Sequence, residues 1–448
     1  VYRGGSDLSP WTGIAVVLGA LGGLLLGVKL GQARGVFGAE AARKAVHVGM
    51  GVICLMFPLL FKDVWPVWVL AALAVVALGA LRVVPVLMRE IGGVLHDVKR
   101  TSLGEMYFPV GVATVFTLAR GDALAFGVPV ALLTFADAAG ALVGKRHGRH
   151  KYETLEGWKS IEGSLAVGAT AWVCVAVPLL LTGHGWLASA VIGAIIGVFG
   201  MMVEAISWRG LDNVFLPLAA FAQLVIYLGL PMESLVIRLV VLIVITAVAW
   251  FWRRGRVVDD SARLGGALAM YFFWAVGGWP WLIAPVVLLA SYVRLMPAGP
   301  GGMPRHNLVA VICVGSAGLV WAVAQAFAPG AQPWLWWFTL GVAAHQAVIA
   351  TVRFSQGRPE WSRMAWWAAG TAQAVVLQGA AFALLDRGRG VSWVELAAGL
   401  ACVAVATAGF VVCEPKLQMP DDLSARWWKQ GVTAVVASVA GGAFLLFL

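Results

Sequence analysis

The strongest constraint on this chain is a succession of apolar runs, most of them about 20 residues long, repeated from Trp11 to the C-terminal end. Such a run matches the hydrocarbon thickness of a bilayer when helical, whereas a membrane-spanning strand needs only about 10 residues. In lipid the backbone must satisfy its own hydrogen bonds, which leaves helices as the solution for runs of this length. The runs fall at 11–31, 46–61, 64–88, 106–120, 122–143, 163–181, 185–206, 213–231, 234–252, 264–279, 281–296, 307–328, 333–352, 364–384, 392–412 and 429–447. Only 12% of residues are charged and 61% are hydrophobic. A soluble domain carries about 25% charged residues. Soluble enzyme, secreted scaffold, coiled coil and disordered chain are excluded. The predicted fold class is all-α, a polytopic helical integral membrane protein with about 14–16 spans in two halves.

The net charge of +10 is not spread evenly. Connections 32–45, 89–105, 144–162, 207–212 and 253–263 hold 16 Lys and Arg, among them Arg34, Lys99, Arg100, Arg146, Arg149, Lys151 and Arg253 to Arg256. The intervening connections hold Arg3, Lys62 and Arg120. This bias places the first set in the cytoplasm and the N-terminus outside, in a bacterial-type inner or plasma membrane. It directs the basic residues toward headgroups and nucleotides, and away from nucleic acid. Cys54, Cys174, Cys313, Cys402 and Cys413 all lie in apolar runs without CxxC spacing and read as packing residues. The first apolar run is long enough to span, so it reads as a helix and not a cleavable signal, and the initial Val1 as trimming or a GTG start. The charged segment 253–263 is the expected linker between a membrane domain at 1–252 and a second at 264–448.

Ionisable residues at membrane depth are costly and mark function when they cluster. They cluster in the first half: Arg43, Lys44 and His47; Ser102, Gly104, Glu105 and Tyr107; Asp137 with Gly140, Gly144 and Lys145; Glu156 to Ser164; and Glu204 with Asp212 and Asn213. On a helix, Asp137, Gly140 and Gly144 share one face, and the glycines are expected to let a ligand or another backbone approach the carboxylate, with small-residue helix packing as the alternative. Lys159, Ser160, Gly163 and Ser164 lead into the next span, so the segment reads as a phosphate site at a helix N-terminus, though it is no Walker motif. Glu162 is either a metal ligand or a local cap. Acids facing a polyphosphate commonly hold Mg2+, which makes Asp137, Glu162, Glu204 and Asp212 the candidate metal ligands. Arg43 and Lys44 are candidate phosphate donors, and His47 is equally well a core histidine or a substrate contact.

These motifs resemble one family. Arg-Lys-x-x-His at 43–47, Gly-Glu-x-Tyr-x-Pro at 104–109, Asp-x-x-Gly-x-x-x-Gly at 137–144, Lys-Ser-x-Glu-Gly-Ser at 159–164 and Asp-Asn-x-x-x-Pro at 212–217 look like the phytol, dolichol and polyprenol kinases, over about residues 35–230. The resemblance implies phosphorylation of an isoprenoid lipid alcohol, commonly with CTP as donor and ATP as the other candidate, assisted by Mg2+. It implies catalytic roles for Asp137, Lys159, Glu162 and Asp212. Arg43, Lys44, Gly140, Gly144, Lys145, Ser160, Gly163, Ser164 and Asn213 would bind nucleotide or phosphate, and His47, Glu105 and Tyr107 the alcohol. Rival readings are a CTP-dependent diacylglycerol kinase, a phosphatidate cytidylyltransferase-like enzyme, and a transporter or membrane scaffold.

In the second half, Ser261, Arg263, Gly265, Gly266, Arg305, His306 and Asn307 resemble the opening of the phytyl-phosphate kinases. Where such a protein would continue with Asp-Thr, this chain has Ala344-His345-Gln346. That half is therefore expected to be non-catalytic, with His345 and Gln346 forming an intramembrane hydrogen-bonded pair and Glu395 an acid deep in a span.

Overall fold

The computed structural model describes residues 9–36, 38–83, 103–251, 258–297, 305–327, 334–386, 392–414, 417 and 423–446. Ser102, Lys99, Arg100, Arg253 to Arg256, Asp421 and Asp422 lie outside the described residues. The apolar runs become helices: α1 Pro10–Ala33, α2 Ala39–Leu55, α3 Phe57–Leu60, α4 Trp65–Val83, α5 Gly104–Ala119, α6 Ala123–His147, α7 Ile161–Leu181, α8 Trp186–Ala205, α9 Asp212–Leu228, α10 Met232–Phe251, α11 Asp260–Gly277, α12 Pro280–Arg294, α13 Leu308–Phe327, α14 Trp334–Gly357, α15 Arg363–Asp386, α16 Trp393–Cys413 and α17 Leu423–Leu446. The second run splits at Met56, because Pro58 at the start of α3 has no backbone N–H to continue α2. Among the described residues ten helices are long and apolar enough to cross a membrane, and three more apolar helices are shorter. The protein is an all-α polytopic membrane protein.

The chain forms two compact units, Val1–Val244 and Ile245–Leu448, and the division falls inside α10, before the charged segment expected as a linker. In the first unit α6 is the hub, packed on α2, α5, α7 and α9, while α8 closes against α7 and α9. Gly51 of α2 faces Thr134 of α6, and a Cβ there would overlap the threonine side chain, so the glycine is what permits this close crossing. Phe57, Phe61, Phe116 and Phe126 form an aromatic cluster, edge-to-face except for the stacked Phe57–Phe126 pair.

One element departs from the all-helical expectation. Between α6 and α7 the chain makes an antiparallel hairpin, β1 Lys151–Thr154 and β2 Gly157–Ser160. Its two-residue loop, Leu155-Glu156, closes on Gly157, whose φ of 114° favours glycine.

In the second unit α14 is the buried axis, packed by α12, α13, α15, α16 and α17. Aromatic pairs line its first turns: Phe273–Phe338, Trp281–Phe338 and Trp336–Phe382, with centroids 4.6–4.9 Å apart. The expected His345–Gln346 pair does not form. Adjacent residues on a helix point about 100° apart, and Gln346 Oε1 instead accepts from Gln378 Nε2 of α15 at 2.6 Å. Glu395 is not deep in its span either: it sits in the first turn of α16 and completes a capping box with Ser392. The motif residues of this half serve as local ties. Ser261 Oγ accepts from the Leu308 backbone N–H, Asn307 Oδ1 from Val309 N, and Arg263 pairs with Asp260.

Candidate active site

Two lysine–carboxylate pairs organise the first unit. Lys44, on the first turns of α2, donates to Asp137 Oδ2 of α6 at 2.6 Å, with only 5% of its side chain exposed. His47, one turn further along α2, places Nε2 3.4 Å from the same oxygen and 3.2 Å from the Leu133 carbonyl. Phe108 of α5 meets the His47 ring edge-on at 5.2 Å. The i, i+3 spacing of Lys44 and His47 brings both to one face of α2, which is why a single carboxylate serves the two. Arg43 is half-buried and acts electrostatically on both His47 and Asp137.

Lys159 forms the second pair. From β2 it donates to Glu204 Oε1 at 2.8 Å and to the Glu204 carbonyl, at the C-terminal end of α8. Burial by itself would lower the Lys159 pKa, but the Glu204 carboxylate, helped by Asp212, outweighs it and holds the ammonium above its ordinary value. Glu204 Oε2 is buried and accepts no hydrogen bond. Asp212 opens α9 and accepts from Ser207 Oγ at 2.9 Å. Asp137, Glu204 and Asp212 act on one another electrostatically, which sets both pairs toward the same end of the first unit. The loop 206–211 folds over this end through Arg209, whose φ is 53°. Its backbone N–H donates to Glu156 at the hairpin turn, and its carbonyl accepts from Leu103 N at the start of α5, 3.2 Å away.

Other predicted residues have different employment. Both carboxylate oxygens of Glu162 accept from the backbone at Arg149 and His150, and Oε1 lies 2.7 Å from His150 Nδ1. Glu162 therefore clamps the chain entering the hairpin and is not placed as a metal ligand beside Lys159. Ser160 caps α7 by accepting from Gly163 N at 3.2 Å. Ser164 bonds to the Ser160 carbonyl and, at 2.7 Å, to Tyr152 OH. The N-terminus of α7 is thus occupied by its own cap, which replaces the expected phosphate seat. Gly140, Gly144 and Gly163 do not clear space for a ligand. A Cβ on Gly163 would lie 2.9 Å from the Gly140 carbonyl and 3.1 Å from Gly144 Cα, so these glycines bring α6 and α7 together. Asn213 Nδ2 donates to the Gly210 carbonyl at 3.1 Å. Glu105 and Tyr107 are half-buried on α5 near Phe108, and Lys145 ends α6 exposed.

Phe108, His150, Tyr152 and Ser207 are site residues that sequence reasoning missed. The alternation Lys-Tyr-Glu-Thr and the Glu-Gly turn were the local signal for the hairpin that carries Tyr152 and follows His150.

Among the described residues no group of three or more His, Cys, Asp and Glu is arranged to hold a metal ion. Mg2+ commonly takes one or two carboxylates and completes its shell with water and substrate phosphates; Glu204 Oε2 is a buried carboxylate oxygen without a hydrogen bond, and Asp212 acts electrostatically on the same carboxylate.

Fold and site together define an integral membrane protein with two lysine–carboxylate pairs in one helical unit. Comparison gives a particular relative: the chain is 27% identical over 226 residues to the phytol kinase of Synechocystis sp. (strain ATCC 27184 / PCC 6803 / Kazusa), covering 48% of this chain and 90% of that protein. The similarity supports a relationship to the lipid-alcohol kinases. No family model matches the chain, and no solved structure matches it.

Proposed function

We propose that the first unit is a membrane kinase that transfers the γ-phosphate of CTP, or of ATP, to an isoprenoid alcohol such as phytol, geranylgeraniol or a polyprenol, at the cytoplasmic face. The observation that carries this is the pair of lysines, Lys44 and Lys159, each held against a carboxylate in the first unit. Similarity to a phytol kinase supplies the substrate class.

Phosphoryl transfer asks the protein mainly for positioning and charge stabilisation. Glu204 and Asp212 would hold Mg2+ together with the nucleotide phosphates, and the ion, when bound, would neutralise charge on the transferring group. Lys159 supplies a fixed cation from the hairpin, and Lys44 a second from α2. The lipid hydroxyl enters beside Asp137, which orients it and accepts its proton as the new O–P bond forms and the bond to the departing nucleoside diphosphate breaks. His47 and Phe108 wall the approach from α2 and α5.

Transfer from γ-labelled CTP or ATP in detergent tests this, with phytol, geranylgeraniol, a long polyprenol and diacylglycerol as acceptors. Label is expected in an isoprenyl phosphate and lost in Asp137→Asn and Lys159→Ala. Label in phosphatidate alone would reassign the protein to diacylglycerol phosphorylation, and no transfer to any acceptor would refute the kinase reading.

A further inference from the structure

The hairpin between α6 and α7 has two unlike faces. Directly opposed residues of an antiparallel pair share a face, and successive pairs alternate. Tyr152 opposes Lys159, and Glu153 opposes Trp158. The first pair points into the unit, where Tyr152 bonds to Ser164 and Lys159 to Glu204. The other face presents Trp158, with 68% of its surface exposed, alongside exposed Lys151. Arg146 and Arg149, where α6 gives way to the hairpin, are exposed as well. Two neighbouring acids are engaged, Glu156 by the Arg209 backbone and Glu162 by residues 149–150, and Glu153 stands across the strand pair from Trp158.

Both helices that anchor the hairpin are long and apolar enough to cross the membrane. A connection of 13 residues between their ends, 148–160, is held close to where they leave the hydrocarbon. Tryptophan favours that level for its amphipathic ring, and Lys and Arg there are drawn to anionic lipid. We propose that the outer face of this hairpin docks on anionic phospholipid headgroups, with Trp158 seated among them and Arg146, Arg149 and Lys151 on their phosphates. Because Lys159 shares β2 with Trp158, the contact sets the position of the lysine on the opposite face. Anionic lipid thereby tunes the site. The effect on transfer rests on the kinase reading; the docking itself does not.

The test uses the full chain in nanodiscs of phosphatidylcholine alone or mixed with phosphatidylglycerol, with hydrogen exchange followed on residues 148–160. Exchange should slow with phosphatidylglycerol by at least about fivefold, the factor one surface cation contributes. High salt should erase the slowing in the unmodified chain. It should also vanish in the triple variant Arg146→Gln, Arg149→Gln, Lys151→Gln, and shrink in Trp158→Ala but less in Trp158→Phe. Equal exchange in the two lipids would overturn the proposal. So would slowing by Mg2+-CTP but not by lipid, lost in Trp158→Ala, which would make Trp158 a base-stacking residue. Where transfer is measurable, phosphatidylglycerol should stimulate it in the unmodified chain and not in the triple variant, with KM for CTP unchanged. Absence of any transfer leaves the exchange result to decide docking by itself, so the two readings fail separately.

Discussion

The two units differ in the polar groups they bury among their helices. The first gathers ionised side chains, Lys44 with Asp137 and Lys159 with Glu204, at one end of its bundle. The second has ion pairs too, Lys429 with Glu414 and Arg263 with Asp260, but in the middle of its helices it places uncharged amides, Gln346 and Gln378, with Gln378 also donating to the Ala284 carbonyl. Removing one member of a buried ion pair strands a charge, whereas replacing both members of a neutral pair by apolar groups is nearly neutral. Buried charges are thus the more expensive choice. Amides suffice to fix how α14, α15 and α12 meet. On this contrast the proposed chemistry belongs to the first unit.

The largest expected effect is at Asp137. Asp137→Asn should lower transfer by about a hundredfold or more and cost about 3–5 kcal/mol, since it leaves Lys44 buried without its carboxylate. Adding Lys44→Met should restore much of the thermal stability in detergent but none of the transfer. Recovery of activity in the double variant would show the pair to be structural and break the contrast. Lys159→Ala should cost about a hundredfold in transfer with a smaller loss of stability, because the hairpin lies at the edge of the unit.

A Gly51→Ala substitution should destabilise by about 1–3 kcal/mol through overlap with Thr134, and should shift the melting temperature before it alters KM for either substrate. In the second unit, Gln346→Leu combined with Gln378→Leu should change stability by less than about 1 kcal/mol, while either one singly costs about 1–3 kcal/mol. Transfer should be unaffected in all three, and a loss there would place chemistry in the second unit. The smallest effect is expected for Glu162→Gln: transfer should stay within an order of magnitude, with faster hydrogen exchange at residues 149–150, whose amides it binds.

Much of the molecule was legible in the chain because lipid imposes a local rule. Each apolar run had to become a helix, since its backbone had no other partner, and α1 through α17 follow those runs. The acids and lysines of the site were legible for a related reason: ionised groups are rare at this depth, so Asp137, Lys159, Glu204 and Asp212 stood out. Which residue pairs with which was not legible. Lys44 and Asp137 are 93 positions apart, and Lys159 and Glu204 are 45 apart, so only the packing of α2 on α6, and of the hairpin on α8, brings them together. The same holds for Glu162, Ser160 and the glycines of α6, whose types fit a phosphate site as well as they fit a capped junction between two helices. Spacing along the chain fixes the face a residue occupies on its own helix, but the tertiary structure decides what stands opposite that face, because that depends on helices distant in sequence.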